Sequence, residues 1–288
     1  MSQLRYEAPG SVDEAVALLA SDSDAKVLAG GTDLIVQMRS GLRKLGLVVD
    51  VKKIDELMSV SSDGGAWTIG AAVSGAEMNE NAALKKDWPG VVEAVDLIGS
   101  TQVQGRASAG GNLCNASPAA DSVPAMVAAG ATAVIAGPNG RREVPVEQVP
   151  VSPGKTSLAT GEMVVAIKMP AKPARNGEAY LRMIPRTEMD IAIVGAGVSL
   201  TLDDGGTCTA AKVALGAVAP TVVIVDDAAK ALIGTKVDDA ALEKMAAACS
   251  AACKPIDDKR GTIEYRTKVA GVMARRAALI ALERARSN

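Results

Sequence analysis

Ser108-Ala-Gly-Gly-Asn-Leu-Cys-Asn-Ala-Ser-Pro-Ala-Ala-Asp121 is the stretch on which the reading of this chain turns. It joins a helix-like segment at 91–97 to another that begins near Asp121, and it carries almost no bulky side chains. Glycine backbones tolerate close approach, and successive backbone amides make a concavity for an anion. The run therefore reads as a loop fit to cradle a phosphate. A tight surface turn is the plainer alternative, because Gly-Gly-Asn alone is a weak motif.

A second glycine turn lies upstream. Ser11 and Glu14 form a Ser-x-x-Glu capping box, and Val12, Ala15, Val16 and Leu19 follow at helical spacing. Lys26-Val-Leu-Ala29 then reads as a short buried strand running into Gly30-Gly31-Thr32-Asp33. Residues 34–39 read as helix, Gly41 as its stop, and residues 47–51 as a second strand. In such a strand, glycine turn, helix and strand unit, the first free amides of the helix point where an anion can sit.

Further along, 66–72 and 132–136 have strand character, and Gly137-Pro-Asn-Gly140 marks a hairpin between 132–136 and 141–146. Residues 163–169 read as a strand ending at Pro170, and the polar run 172–177 as a domain boundary. Beyond it, apolar strands at 191–202 and 207–218 meet at Asp203-Asp-Gly-Gly206. Helices are expected over about 222–232, 238–252 and 262–286, the last one amphipathic.

Composition narrows the chemistry. The chain has 288 residues, 48% hydrophobic and 22% charged, with a net charge of −2. Two or three subdomains are expected, and nucleic acid is not an expected partner. No run is apolar enough for a transmembrane segment, and Met1–Glu7 has no signal-like apolar core. Four cysteines without an export signal point to free thiols and a cytoplasmic location. Cys249 and Cys253, four apart on a helix, read as buried thiols rather than metal ligands. The chain contains no histidine, which removes His-based metal sites and the Ser-His and Cys-His classes of catalysis. No catalytic residue and no metal ligand is assigned. Phenylalanine is also absent, so aliphatic residues, Met and Ala must fill the cores.

Taken together, the two glycine loops describe two lobes closing on one extended anionic ligand. A pyrophosphate needs several converging backbone donors, which a Cβ at the contact glycines would obstruct. Thr32, Ser108 and Asn112 offer side-chain hydrogen bonds, and Asp33 and Asp121 offer acceptors for a ribose or an amide.

Ala29-Gly-Gly-Thr-Asp33, Ser108-Ala-Gly-Gly-Asn112 and Ala116-Ser-Pro-Ala-Ala-Asp121 together resemble the FAD-binding medium subunit of the molybdenum hydroxylases, the carbon monoxide dehydrogenase and xanthine dehydrogenase family. Arg186-Thr-Glu-Met-Asp-Ile-Ala192 and Leu215-Gly-Ala-Val-Ala-Pro-Thr221 extend the likeness over essentially the whole chain. The resemblance implies an α+β architecture: an FAD-binding fold of the PCMH/VAO type, with α/β subdomains at 1–56 and 57–172, then a CO dehydrogenase flavoprotein-like α+β domain at 177–288. It implies FAD as cofactor, with Lys26, Val27, Leu28, Ala29, Gly30, Gly31, Thr32, Asp33 and Leu34 around the pyrophosphate and ribityl. Ile98 and Gly99 would line the flavin or adenine pocket. Ser108, Gly110, Gly111, Asn112 and Cys114 would form the second cradle, Asp121 would bond near the isoalloxazine or ribityl, and Arg182 would stand near the flavin. Relatives more often have Thr and Ile at positions 108 and 109, and both differences here keep the loop small. The cysteine-rich insertion that carries an iron–sulfur cluster in some relatives is absent, so no cluster is expected.

The implied role is electron transfer within a heterotrimer, in a dimer of such heterotrimers. A large molybdopterin-binding subunit oxidises substrate, a small [2Fe–2S] subunit relays electrons, and this subunit's FAD passes them to a quinone or NAD. Two other readings stand beside it: a self-sufficient FAD-dependent oxidoreductase, and a non-catalytic nucleotide-binding or scaffold module. A Rossmann dinucleotide site at Gly195-Ala-Gly197 lacks its third glycine, since Leu200 stands there, and lies within a strand candidate.

Overall fold

The computed structural model describes residues 4–288, and its topology is built on three main sheets. The first unit holds β1 (Arg5–Glu7), α1 (Val12–Ser21), β2 (Lys26–Leu28), α2 (Leu34–Arg39) and β3 (Leu47–Asp50). Its strands are all parallel in the order β1-β3-β2, with Leu28 opposite Asp50. The α1 cap differs from the expected box. Ser11 Oγ accepts the Glu14 amide, but the Glu14 carboxylate takes the amide of Gly10, at 2.9 Å, instead of that of Ser11. Val12, Ala15, Val16 and Leu19 pack against Leu47 and Val49, as their spacing requires.

The second unit opens with α3 (Asp55–Met58), β4 (Val60–Asp63) and β5 (Ala66–Gly70). Then come α4 (Gly75–Glu80), α5 (Ala82–Asp87), α6 (Pro89–Asp96), α7 (Ala109–Cys114) and α8 (Ser122–Ala128). The chain returns through β6 (Thr132–Gly137), β7 (Gly140–Pro145), the small pair β8 (Pro150–Ser152) and β9 (Lys155–Thr156), and β10 (Met163–Met169). An antiparallel sheet β4-β5-β10-β6-β7 results, and the Gly137–Gly140 pairing closes the expected hairpin around Pro138 and Asn139. Met163 and Val165 of β10 join the core of the first unit, so the two units share one packed layer.

In the third unit, β11 (Asn176–Met183), β12 (Val194–Leu202), β13 (Cys208–Gly216) and β14 (Val223–Ile224) form an antiparallel meander. It is followed by α9 (Asp226–Leu232), α10 (Asp239–Ala251) and α11 (Ile263–Ser287). The β12–β13 turn is fixed by Asp203, whose carboxylate accepts the Thr207 amide at 2.7 Å. Gly195 and Gly197 lie inside β12, so no strand-to-helix nucleotide turn exists there. Glycine is needed at 197 for another reason: a Cβ would stand 2.4 Å from the Pro124 carbonyl of α8. Helix α8 thus presses on one face of this sheet, while α11 covers the other. Within that core the Arg266 guanidinium, 3% exposed, donates to the Ile193 carbonyl and to Asp258, both at 2.8 Å. Ala, Val, Leu, Ile and Met fill all three cores, with Trp67, Trp88 and Tyr180 as the buried aromatics. Among the described residues, no helix is long and apolar enough to cross a membrane.

One expectation is corrected here. The stretch 108–121 is not a continuous loop, because residues 109–114 form α7. Two adjacent glycines oppose helix formation. The helix forms because Ser108 Oγ caps the Gly111 amide at 3.0 Å and Asn112 Oδ1 receives the Ser122 hydroxyl at 2.7 Å, tying α7 to the start of α8.

Candidate functional site

A cavity of about 430 Å³ opens between the turn after β2 and the short helix α7. One wall is Gly30, Gly31, Thr32 and Asp33, and the facing wall is Ser108, Gly110, Gly111, Asn112 and Cys114. A third wall comes from residues 158–164, leading into β10. The cavity thus sits beyond the carboxyl ends of parallel strands, where open sheets receive ligands.

The backbone in the first wall is arranged for an anion. Gly31 has φ +74°, and the amides of Gly30, Gly31, Thr32 and Asp33 donate to no acceptor among the described residues. Successive unpaired amides around a residue with positive φ form a nest for negative charge. The Thr32 hydroxyl is likewise unengaged, whereas the Asp33 carboxylate accepts the Gln37 side-chain amide. On the facing wall, Ser108 and Asn112 spend their acceptor oxygens inside the protein, on Gly111 and Ser122. Burial pushes the Cys114 thiol up to about 12, so it stays protonated and unreactive.

The glycines are small for two different reasons. A Cβ on Gly30 would stand 1.7 Å from the Arg106 carbonyl oxygen, and one on Gly110 would stand 2.4 Å from that of Ala71. These two let protein backbone pack on protein backbone. A Cβ on Gly111 would meet only Ser108 Oγ, at 3.0 Å, and would otherwise enter the cavity. Gly111 therefore keeps space for a ligand, and Gly30 locks the two glycine segments together.

Most of the residues expected at the site line this cavity, including Lys26, Val27, Ala29, Leu34 and Ile98. Leu28, Gly99, Asp121 and Arg182 do not. The Leu28 side chain packs beside Gly31, and Gly99, at φ +66°, sits against Val103. Asp121 and Arg182 form a buried pair at 2.8 Å, with side chains 9% and 6% exposed. The Tyr180 hydroxyl donates to the other Asp121 oxygen at 3.0 Å, and Arg182 also holds the Leu97 carbonyl at 2.8 Å. Burial pushes the Asp121 carboxyl up, to about 6, against the opposing pull of Arg182 and Tyr180. The pair braces the turn that carries Ile98.

Sequence reading missed the third wall and the cluster of Gln37, Arg43 and Asn115 at the cavity edge. The only local signal in the third wall is Thr160-Gly161, where Gly161 has φ +83°. Irregular polar segments carry no periodicity from which a position can be read.

Residues 2–172 match the family described as FAD binding domain in molybdopterin dehydrogenase, and residues 179–281 match the CO dehydrogenase flavoprotein C-terminal domain. The chain is 36% identical over 283 residues to the carbon monoxide dehydrogenase medium chain of Afipia carboxidovorans, covering 98% of each. It is 31% identical over 218 residues to the xanthine dehydrogenase FAD-binding subunit of Escherichia coli O157:H7, covering 75% of this chain and 74% of that one. Its fold superposes on a chain of the reconstituted CO dehydrogenase from Oligotropha carboxidovorans with a TM-score of 0.93, at 35% identity and 98% coverage of both chains. With both domains matched in order and the fold shared along its length, the chain belongs to the FAD-binding medium-subunit family of the molybdenum-containing dehydrogenases.

Proposed function

We propose that FAD lies in this cavity with its pyrophosphate on the turn after β2, and that the chain is the electron-transfer subunit of a heterotrimeric molybdenum hydroxylase. The four unengaged amides of residues 30–33 carry this reading, since each is a donor that a bound pyrophosphate oxygen would satisfy. Gly111 leaves room on the opposite wall, and the cavity-lining residues, from Lys26 to Leu34 and from Ile98 to Cys114, would hold the cofactor. Leu28, Gly99, Asp121 and Arg182 support that wall from behind. Residues 1–56 and 57–172 act as the two FAD-binding subdomains, and 177–288 as the C-terminal flavoprotein domain. Bound FAD would supply the redox chemistry, taking electrons from a [2Fe–2S] subunit and yielding them to an external acceptor such as a quinone or NAD. The protein itself contributes backbone donors, a buried brace and an unreactive thiol, so the cofactor is held non-covalently.

The partners in this reading are a large molybdopterin-binding subunit and a small [2Fe–2S] subunit, arranged as a dimer of heterotrimers. It draws support from the named relatives, one a medium chain and the other an FAD-binding subunit of a dehydrogenase. Four unpaired thiols fit a reducing cytoplasm. The test is to purify the chain with its accompanying subunits and denature it in acid. One FAD per chain should appear in the supernatant over a colourless pellet. Substrate should then bleach the flavin only when the molybdenum and iron–sulfur subunits are present. Bleaching by substrate without them would replace this reading with a self-sufficient oxidoreductase.

A further inference from the structure

We propose that Lys52, held by Asp50 and Tyr6, is the positioning residue that sets the anion-binding turn after β2. The proposal rests on the FAD reading above. Three consecutive carbonyls, running from the end of β2 into that turn, are each taken by a different donor. Leu28 O accepts the Val51 amide at 3.2 Å, Ala29 O accepts Lys52 Nζ at 3.0 Å, and Gly30 O accepts Arg106 Nε at 3.4 Å. With these carbonyls drawn outward and Gly31 at φ +74°, the amides of residues 30–33 are left without protein acceptors. Two of the three anchors are charged donors, which hold a carbonyl more firmly than a neutral amide, and of these the Lys52 bond, at 3.0 Å, is shorter than the Arg106 bond, at 3.4 Å.

Lys52 is itself fixed. Asp50 Oδ1 accepts both the Lys52 backbone amide, at 3.1 Å, and Lys52 Nζ, at 2.6 Å. The other carboxylate oxygen, Oδ2, accepts the Tyr6 hydroxyl at 2.6 Å. The relay from Tyr6 through Asp50 and Lys52 to Ala29 thus crosses all three parallel strands, from β1 through the central β3 to the end of β2. An isolated surface ion pair contributes little to folding. Here the pair is coupled to a turn whose amides are unsatisfied until a ligand arrives, so its effect belongs to ligand affinity.

The test compares FAD release from the purified, FAD-loaded protein with its accompanying subunits, followed as recovery of free-flavin fluorescence after dilution. Lys52→Met keeps the aliphatic stem and removes the donor, and release should accelerate about tenfold, the order expected for losing one charge-assisted hydrogen bond. Lys52→Arg should return the rate to near wild type. Tyr6→Phe, which leaves the exposed ring in place, should accelerate release about threefold, less than Lys52→Met because its hydrogen bond reaches the turn only through Asp50 and Lys52. The flavin midpoint potential and the melting temperature of the FAD-free protein should match wild type in all three. Wild-type release in Lys52→Met overturns the proposal, as does faster release that Arg fails to rescue or that comes with an equally lowered melting temperature. A wild-type protein that retains no FAD defeats the cofactor assignment, and this proposal with it.

Discussion

Gly30→Ala and Gly111→Ala should fail in opposite ways, although both glycines line the same cavity. At position 30 the new Cβ stands 1.7 Å from the Arg106 carbonyl oxygen and 2.5 Å from its carbon. A carbon–oxygen contact settles near 3.3 Å, so the two glycine segments must part by roughly 1.6 Å. Backbone, not a flexible side chain, has to move, and overpacking of this kind costs about 2–3 kcal/mol. For a chain of this size that is a fall of about 3–5 °C in melting temperature, measured on FAD-free protein. At position 111 the Cβ meets only Ser108 Oγ and lies within a helix. Alanine is favoured over glycine there by up to about 1 kcal/mol. Gly111→Ala should therefore melt at or slightly above the wild-type temperature while losing most of its FAD. Scanning calorimetry and flavin content per chain read both variants. A Gly30→Ala protein that melts like wild type, or a Gly111→Ala protein that keeps full FAD, would refute the division of labour between these glycines.

Arg182→Ala should destabilise the fold by about 3–5 kcal/mol in urea unfolding, because it leaves Asp121 buried without its cation; wild-type stability would show that the pair does not brace the 97–99 turn. Glu178 gives a pH signature. Its carboxyl, 1% exposed, accepts the Gly90 amide at 2.7 Å across the seam between β11 and α6. Burial raises it to about 7, against Lys172, Arg284 and that amide and with the help of Glu93. The folded chain then holds a proton that the unfolded chain releases at lower pH, so this contribution is complete at acid pH and is lost as pH rises through 7. Melting temperature should decline between about pH 5 and pH 7, from the ordinary glutamate range up to the folded value, and Glu178→Gln should flatten that decline; an unchanged slope in the variant would assign the effect to other groups.

Local chemistry made several elements legible in the sequence. The helical spacing from Val12 to Leu19, the Pro138-Asn139 hairpin, the Asp203–Gly206 turn and both glycine segments each depend on neighbours a few residues away. The glycine motifs of the flavoprotein family were legible for the same reason, since a turn that must approach a ligand restricts its residues over a short span. Helix α7 was not, because Gly110 and Gly111 argue against a helix until Ser122, beyond its end, bonds to Asn112. Nor did the sequence reveal why Gly30 is small: its neighbour is the Arg106 carbonyl, 76 positions away. Asp121 read as a ligand contact, and only the fold brings Tyr180 and Arg182 onto both of its oxygens. Nothing in the residues around Lys52 points to Ala29; the pairing of β2 with β3 places that carbonyl within reach of its ammonium. A side chain's partner is set by packing between distant segments, and a backbone turn is set by the residues within it, so turn geometry shows in sequence while the groups that hold the turn in place do not.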